Sequence, residues 1–309
     1  MKKYSNQIIV ITTFIILIFI LFNRDIVSNT VISSFYIWFN TLVPSMFPMF
    51  VTSEILINAN FVLYVPRFIT NFFMRIFNVS KEAVLTILIS LIAGFPNNAL
   101  AIKTSFDGGF ISKRECEHLL YICHFANPLF VLETVGVFYL KNNIYGVIIL
   151  VSNIISSFII GIILRRRNIP TNNKYISKKV NCQSFGTLLS NSIKKSVNTL
   201  LMISGVIASF LIVSSLICYI FNFNDYIRTF IYGLFEMTMG IRSLSLLNIL
   251  DIYKVMLSSV ILSFGGLSIH LQVISILDDK IRYRNYFIGR IYQAIISLTL
   301  SGVLFILFA

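Results

Sequence analysis

Three carboxylates, Glu54, Glu133 and Glu236, lie within apolar runs of this 309-residue chain. So do the amides of Asn97, Asn98, Asn127 and Gln272, the imidazole of His270 and the hydroxyl of Ser268. Leaving a carboxylate charged in hydrocarbon costs about 2.5–3.5 kcal/mol on insertion scales, so each must face an interior, be protonated or be paired. Two chemistries fit: coupling the movement of a proton or solute, or a structural ion pair, for which Arg75 and Arg242 are the available cations. The amides, the hydroxyl and His270 supply donors and acceptors without charge, which recognition of a neutral polar solute requires. Their structural alternatives are capping of a half-helix by Asn97 and Asn98 and a histidine hydrogen-bonded in place.

These side chains cluster at two interruptions. Apolar runs meet Gly94-Phe95-Pro96 in the first half and Gly265-Gly266 in the second, turn polar, and become apolar again. A lipid-facing helix cannot break in this way, because the freed backbone groups find no water to bond. A matched pair of breaks in two halves points to a midplane binding site in an inverted-repeat transporter. Both are expected to be re-entrant hairpins, with Gly94, Gly265 and Gly266 making the turns and Pro96 ending a half-helix.

The composition excludes other classes. With 57% hydrophobic and 12% charged residues and a mean hydropathy of +0.85, the chain is a polytopic membrane protein. Its net charge of +13 sits in short loops, the positive-inside signature, and not on one face suited to nucleic acid. Cys116, Cys123, Cys182 and Cys218 make no CxxC pair, so neither a structural disulfide nor a zinc ribbon is expected. Cys116, His118, Cys123 and His124 follow Ser112-x-x-Glu115, the capping box of a helix on which they do not converge, so no metal is expected. No HExxH, GxSxG or phosphate-cradling loop is present, so no enzyme and no cofactor is expected.

The chain divides into residues 1–30, an uncleaved first helix and its exit loop; 31–164, a first repeat holding the Gly94 hairpin; 165–197, a basic cytoplasmic linker; and 198–309, a second repeat holding the Gly265–Gly266 hairpin. Spans are expected at 8–22, 31–57 (kinked by Pro44 and Pro48), 119–140 (interrupted by Pro128), 144–164, 200–221 and 286–308, with interfacial or broken segments at 61–77 and 226–247. The expected fold is therefore all-α: about six spans and two re-entrant hairpins in two inverted halves. Asn40-Thr41-Leu42 and Asn198-Thr199-Leu200 carry a weak internal likeness. This topology leaves Lys280, Arg282 and Arg284 outside, against the positive-inside rule.

Four blocks carry a resemblance across nearly the whole chain: Leu42-Val43-Pro44-Ser45-Met46-Phe47-Pro48 leading to Ser53-Glu54, Gly94-Phe95-Pro96, Gly233-Leu234-Phe235-Glu236, and Phe264-Gly265-Gly266-Leu267-Ser268-Ile269-His270 with Gln272. In these the chain resembles the sporulation integral membrane protein YlbJ family, related to nucleoside recognition (Gate) domain proteins. The resemblance implies a multi-pass protein of a bacterial cell membrane, mother-cell or forespore, needed for endospore formation. It departs from the family pattern at Asn98, His124, Phe125 and Met239. The expected partners are a small polar solute, anionic lipid at the 165–195 loop, and a second copy in a homo-oligomer, with no nucleic acid. A non-transporting scaffold for other sporulation membrane proteins is the rival reading.

Overall fold

A computed structural model describes residues 2–58, 64–165, 184–277 and 281–309. Among them there is no strand. Helix α1 (Lys2–Phe22) is followed by α2 (Arg24–Ile37), which widens into a π segment (Trp38–Leu42) and continues as α3 (Val43–Asn58). The widening falls just before Pro44. Proline cannot donate to the ladder, and its ring would strike the preceding turn. The π turn absorbs that clash, with Val43 N–H bonded to the Trp38 carbonyl. Helices α4 (Arg67–Phe77) and α5 (Lys81–Ala93) meet at 99°, turning on Asn78 in the left-handed region.

At Gly94 the chain folds back into α6 (Asn97–Asp107), which packs on α5 with Thr86 and Ser105 hydroxyls 2.9 Å apart. Helix α7 (Lys113–Ile122) starts at the expected Ser112–Glu115 capping box. It stops at Cys123, and after an extended stretch a second π segment (Phe130–Tyr139) follows. The span expected at 119–140 is therefore broken upstream of Pro128. Then come α8 (Asn143–Ile163), α9 (Phe185–Phe221), α10 (Asp225–Phe235), α11 (Met237–Leu246), α12 (Asp251–Phe264), α13 (Gly266–Ile276) and α14 (Tyr283–Phe308). Helix α14 packs along α12 and α8, and this group with α7 surrounds the core.

Among the described residues, five helices are long and apolar enough to cross a membrane: Arg24–Leu56, Asn143–Ile163, Phe185–Phe221, Asp251–Ile276 and Tyr283–Phe308, with Arg67–Phe77 and Lys81–Ala93 a bent sixth. The apolar part of α1, Val10–Phe22, is shorter. Two expectations change here. The chain does not turn back at Gly265–Gly266, because α12 and α13 run on as one 26-residue apolar span. The helical hairpin of the second half lies earlier, where α10 and α11 pack together with Glu236 at their junction. The reason is local. A single non-helical residue, Gly265 at φ +88°, separates α12 from α13, whereas three, Gly94-Phe95-Pro96, allow α6 to fall back on α5.

Counting Asp251–Ile276 as a crossing also moves Arg282 and Arg284 to the side of the basic linker, where the positive-inside rule wants them. Single cysteines at Asn142 and Asn224 should therefore react with an impermeant thiol reagent applied to intact cells, while cysteines at Thr187 and Arg284 should not. External labelling at Arg284 would mean that the chain turns back at Gly265 after all.

Candidate functional site

The centre of the molecule is the extended segment 123–127, whose backbone has left the helix of α7. Neighbouring elements meet several of the freed groups. The Phe125 carbonyl accepts from Phe95 N–H and from Asn98 Nδ2, both at 3.0 Å, which ties the α5–α6 tip to the break. Ala126 N–H donates to Asn153 Oδ1 of α8 at 3.1 Å. The Gln293 amide of α14 faces the His124 carbonyl (3.4 Å), the Asn153 carbonyl (3.0 Å) and Ser157 Oγ (2.6 Å), so its two hydrogens are shared among three acceptors. Arg290 donates to the Tyr121 carbonyl at 2.7 Å and to Gln293 Oε1, and its guanidinium lies 5.1 Å from the Tyr286 ring centroid. Asn127 caps the second π segment, its Oδ1 accepting from Phe130 N–H at 3.2 Å.

Both glycine breaks press on this segment. A β-carbon at Gly94, φ +71°, would lie 2.7 Å from the backbone N and Cα of Asn127. One at Gly265 would lie 3.1 Å from the His124 imidazole. That imidazole is stacked on Phe95 at 4.7 Å, and its Nδ1 is 2.8 Å from Tyr286 Oη. His124, almost fully buried, is thus the piece on which the two halves meet.

Beside this junction a closed cavity of about 10 Å³, room for no more than one water, is lined by Phe95, Pro96, Glu236, Thr238, Ser268 and Gln272 with an apolar surround. Glu236 Oε2 caps α11 by accepting Met239 N–H at 2.8 Å. The tip seats on the second break, a β-carbon at Gly266 falling 3.1 Å from Met237 N. Ser268 Oγ and both polar atoms of the Gln272 amide have no hydrogen-bond partner among the described residues, although each side chain is about 1% exposed.

The structure therefore brings together Pro96, Glu236, Ser268 and Gln272. Asn98 and Asn127 stand on the other side of the break, each with one amide atom unpartnered among the described residues. Asn97 is buried as the first residue of α6. His270 points elsewhere, held by Tyr283 Oη and the Phe264 carbonyl. Glu54 pairs with Lys195 of α9 at 2.7 Å, a cation other than the Arg75 and Arg242 expected from the sequence. Glu133 is exposed, in a lateral groove with Asn40, Thr41 and Ser45. Most of the 165–195 loop lies outside the described residues. Asn153, Arg290 and Gln293 are the buried polar residues of this centre that sequence reasoning missed. Their signal was present: polar or charged residues in long apolar spans mark interiors.

Hairpin tips seated on broken helices around a buried polar centre, in a chain with five or six membrane-length helices, define a multi-pass helical membrane protein. The chain is similar to the sporulation integral membrane protein YlbJ of Bacillus subtilis (strain 168), with 24% identity over 296 residues, covering 84% of this chain and 72% of that one. No family model and no solved structure matches it.

Gly94→Ala should lower stability by about 2–4 kcal/mol, the left-handed penalty plus overpacking against Asn127. Gly205→Ala, where nothing lies within 4 Å of the added carbon, should be neutral or stabilising. Thermal unfolding of the purified variants checks both. Gln293→Leu should cost about 1–3 kcal/mol, because the His124 and Asn153 carbonyls lose a buried donor.

Proposed function

We propose that this protein moves a small neutral polar solute across the membrane of a sporulating cell, binding it between Pro96, Glu236, Ser268 and Gln272 in a state in which the one-water cavity there has widened. The observation that carries the reading is the Gln272 amide, buried with neither its donor nor its acceptor used. In a membrane interior an unsatisfied polar group is costly, and a site that keeps one in a closed cavity is suited to a ligand that completes it. Adjacent donor and acceptor atoms, the Ser268 hydroxyl and the apolar surround favour a compact solute with a hydrogen-bonding edge, nucleoside-like or of another kind.

The arrangement of elements supports the same reading. Each half supplies a helical hairpin (α5–α6, α10–α11), a broken helix (α7 with the second π segment, α12–α13) and an unbroken apolar helix (α8, α14), the order expected of an inverted repeat around a midplane site. Glu236 at a hairpin tip is the candidate coupling carboxylate, since Glu54 is neutralised by Lys195. The role in spore formation rests on the similarity to YlbJ. A scaffold would need none of these buried groups and would use its basic linker, against lipid or partner proteins.

Gln272→Leu separates the two. Removing an unsatisfied buried amide should raise stability by about 1–2 kcal/mol, read as an upward shift in the thermal midpoint. It should nevertheless abolish both complementation of spore formation and any solute-induced stabilisation found in a screen of nucleosides and other small neutral solutes. Normal yields of heat-resistant spores from a Gln272→Leu, Ser268→Ala double variant would reject transport in favour of the scaffold.

A further inference from the structure

The closed cavity has a neighbour. Between the Asn222 end of α9, the facing side of α2 and the α10–α11 hairpin lies an open cavity of about 770 Å³, within the size range of small-ligand sites. Asn29, Thr30 and Ser33 of α2 and Ser215 and Asn222 of α9 give it hydrogen-bonding walls. The two cavities follow one another along a single face of α9. Ile203 and Ile207 line the closed one, and Leu211, Ser215 and, near the helix end, Asn222 line the open one, mostly at four-residue spacing.

What separates them is one turn of α11. Glu236, Met237 and Thr238 line the closed cavity, and the next residue, Met239, lines the open one. The backbone of that turn is fixed, since Met239 N–H is bonded to the Glu236 carboxylate. The side chain of Met239 has no such tie. It is half-buried and unbranched, packed on the apolar core at the inner end of the open cavity, and it can change rotamer without breaking a hydrogen bond.

We propose that Met239 is the plug between the open vestibule and the closed binding cavity, so that a solute arriving from the Asn222 side enters only when this side chain swings aside. The proposal rests on the function proposed above, but its test does not require transport. Purified protein carrying Ser268→Cys as its only cysteine is placed in lipid nanodiscs, where both faces meet the solvent, and its modification by a small charged methanethiosulfonate is timed. With Met239 in place the reaction should be slow. With Met239→Ala it should be about tenfold faster or more, because modification of a closed site tracks the population of its open form, and Met239→Leu should keep it slow. Ser215→Cys in the vestibule should react rapidly with either residue at 239. Fast modification of Ser268→Cys with Met239 present, or equal slowness with Met239→Ala, would overturn the plug, as would an unreactive Ser215→Cys. If the labelling pattern holds while no solute binds, the plug stands and the transport reading falls.

Discussion

Backbone that leaves a helix inside a bilayer must find its hydrogen bonds within the protein, and residues 123–127 are where this molecule meets that demand. Three elements converge on five residues because each brings something that the segment lacks: Phe95 N–H and the Asn98 amide from the first hairpin, the Asn153 amide from α8, and Gln293 from α14, with Arg290 of α14 donating just upstream to Tyr121. Serines of α8, α12 and α14 extend this layer, with Asn153 reaching Ser263 and Gln293 reaching Ser157. The polar core is thus a consequence of the break, and the break is tolerated because of the polar core. Neither would survive the loss of the other.

The two halves solve the same problem differently. In the first, a three-residue turn lets α6 return beside α5, and the hairpin tip reaches the broken helix through main-chain bonds. In the second, the span continues past Gly265, and the hairpin is made upstream, where Glu236 turns its carboxylate back to cap α11. A carboxyl cap at a hairpin tip gives the first N–H groups of α11 the acceptor they lack.

Much of this was legible. Gly94-Phe95-Pro96 combines a residue suited to positive φ with a helix terminator, and the chain does turn there. Ser112-x-x-Glu115 opens a helix as its spacing requires. Glycine alone was the weaker guide: Gly265 and Gly266 hold left-handed φ inside a span that keeps going, because positive φ bends a chain only as far as its neighbours allow. Residues 226–247 read as an interfacial or broken segment, but that the break folds back depends on Gly233 and Gly240, whose lack of side chains lets α10 and α11 meet backbone to backbone. The partners of the 123–127 backbone come from α8 and α14, far away in sequence, and long-range pairings of that kind leave no mark in periodicity. The pairing of Glu54 with Lys195 was hidden for the same reason.

The length of α9 has a consequence of its own. At 37 residues it is about 55 Å long, against a hydrocarbon layer of about 30 Å. Laid straight across that layer it would overrun it by about 25 Å. Lys194 and Lys195, the helix's two charged residues, lie near its start, so the overhang falls at the Phe185 end. That end is braced: Ser192 is buried, and Lys195 reaches Glu54 of α3. The excess length thus serves as a strut that carries the second half's longest helix back onto the first half.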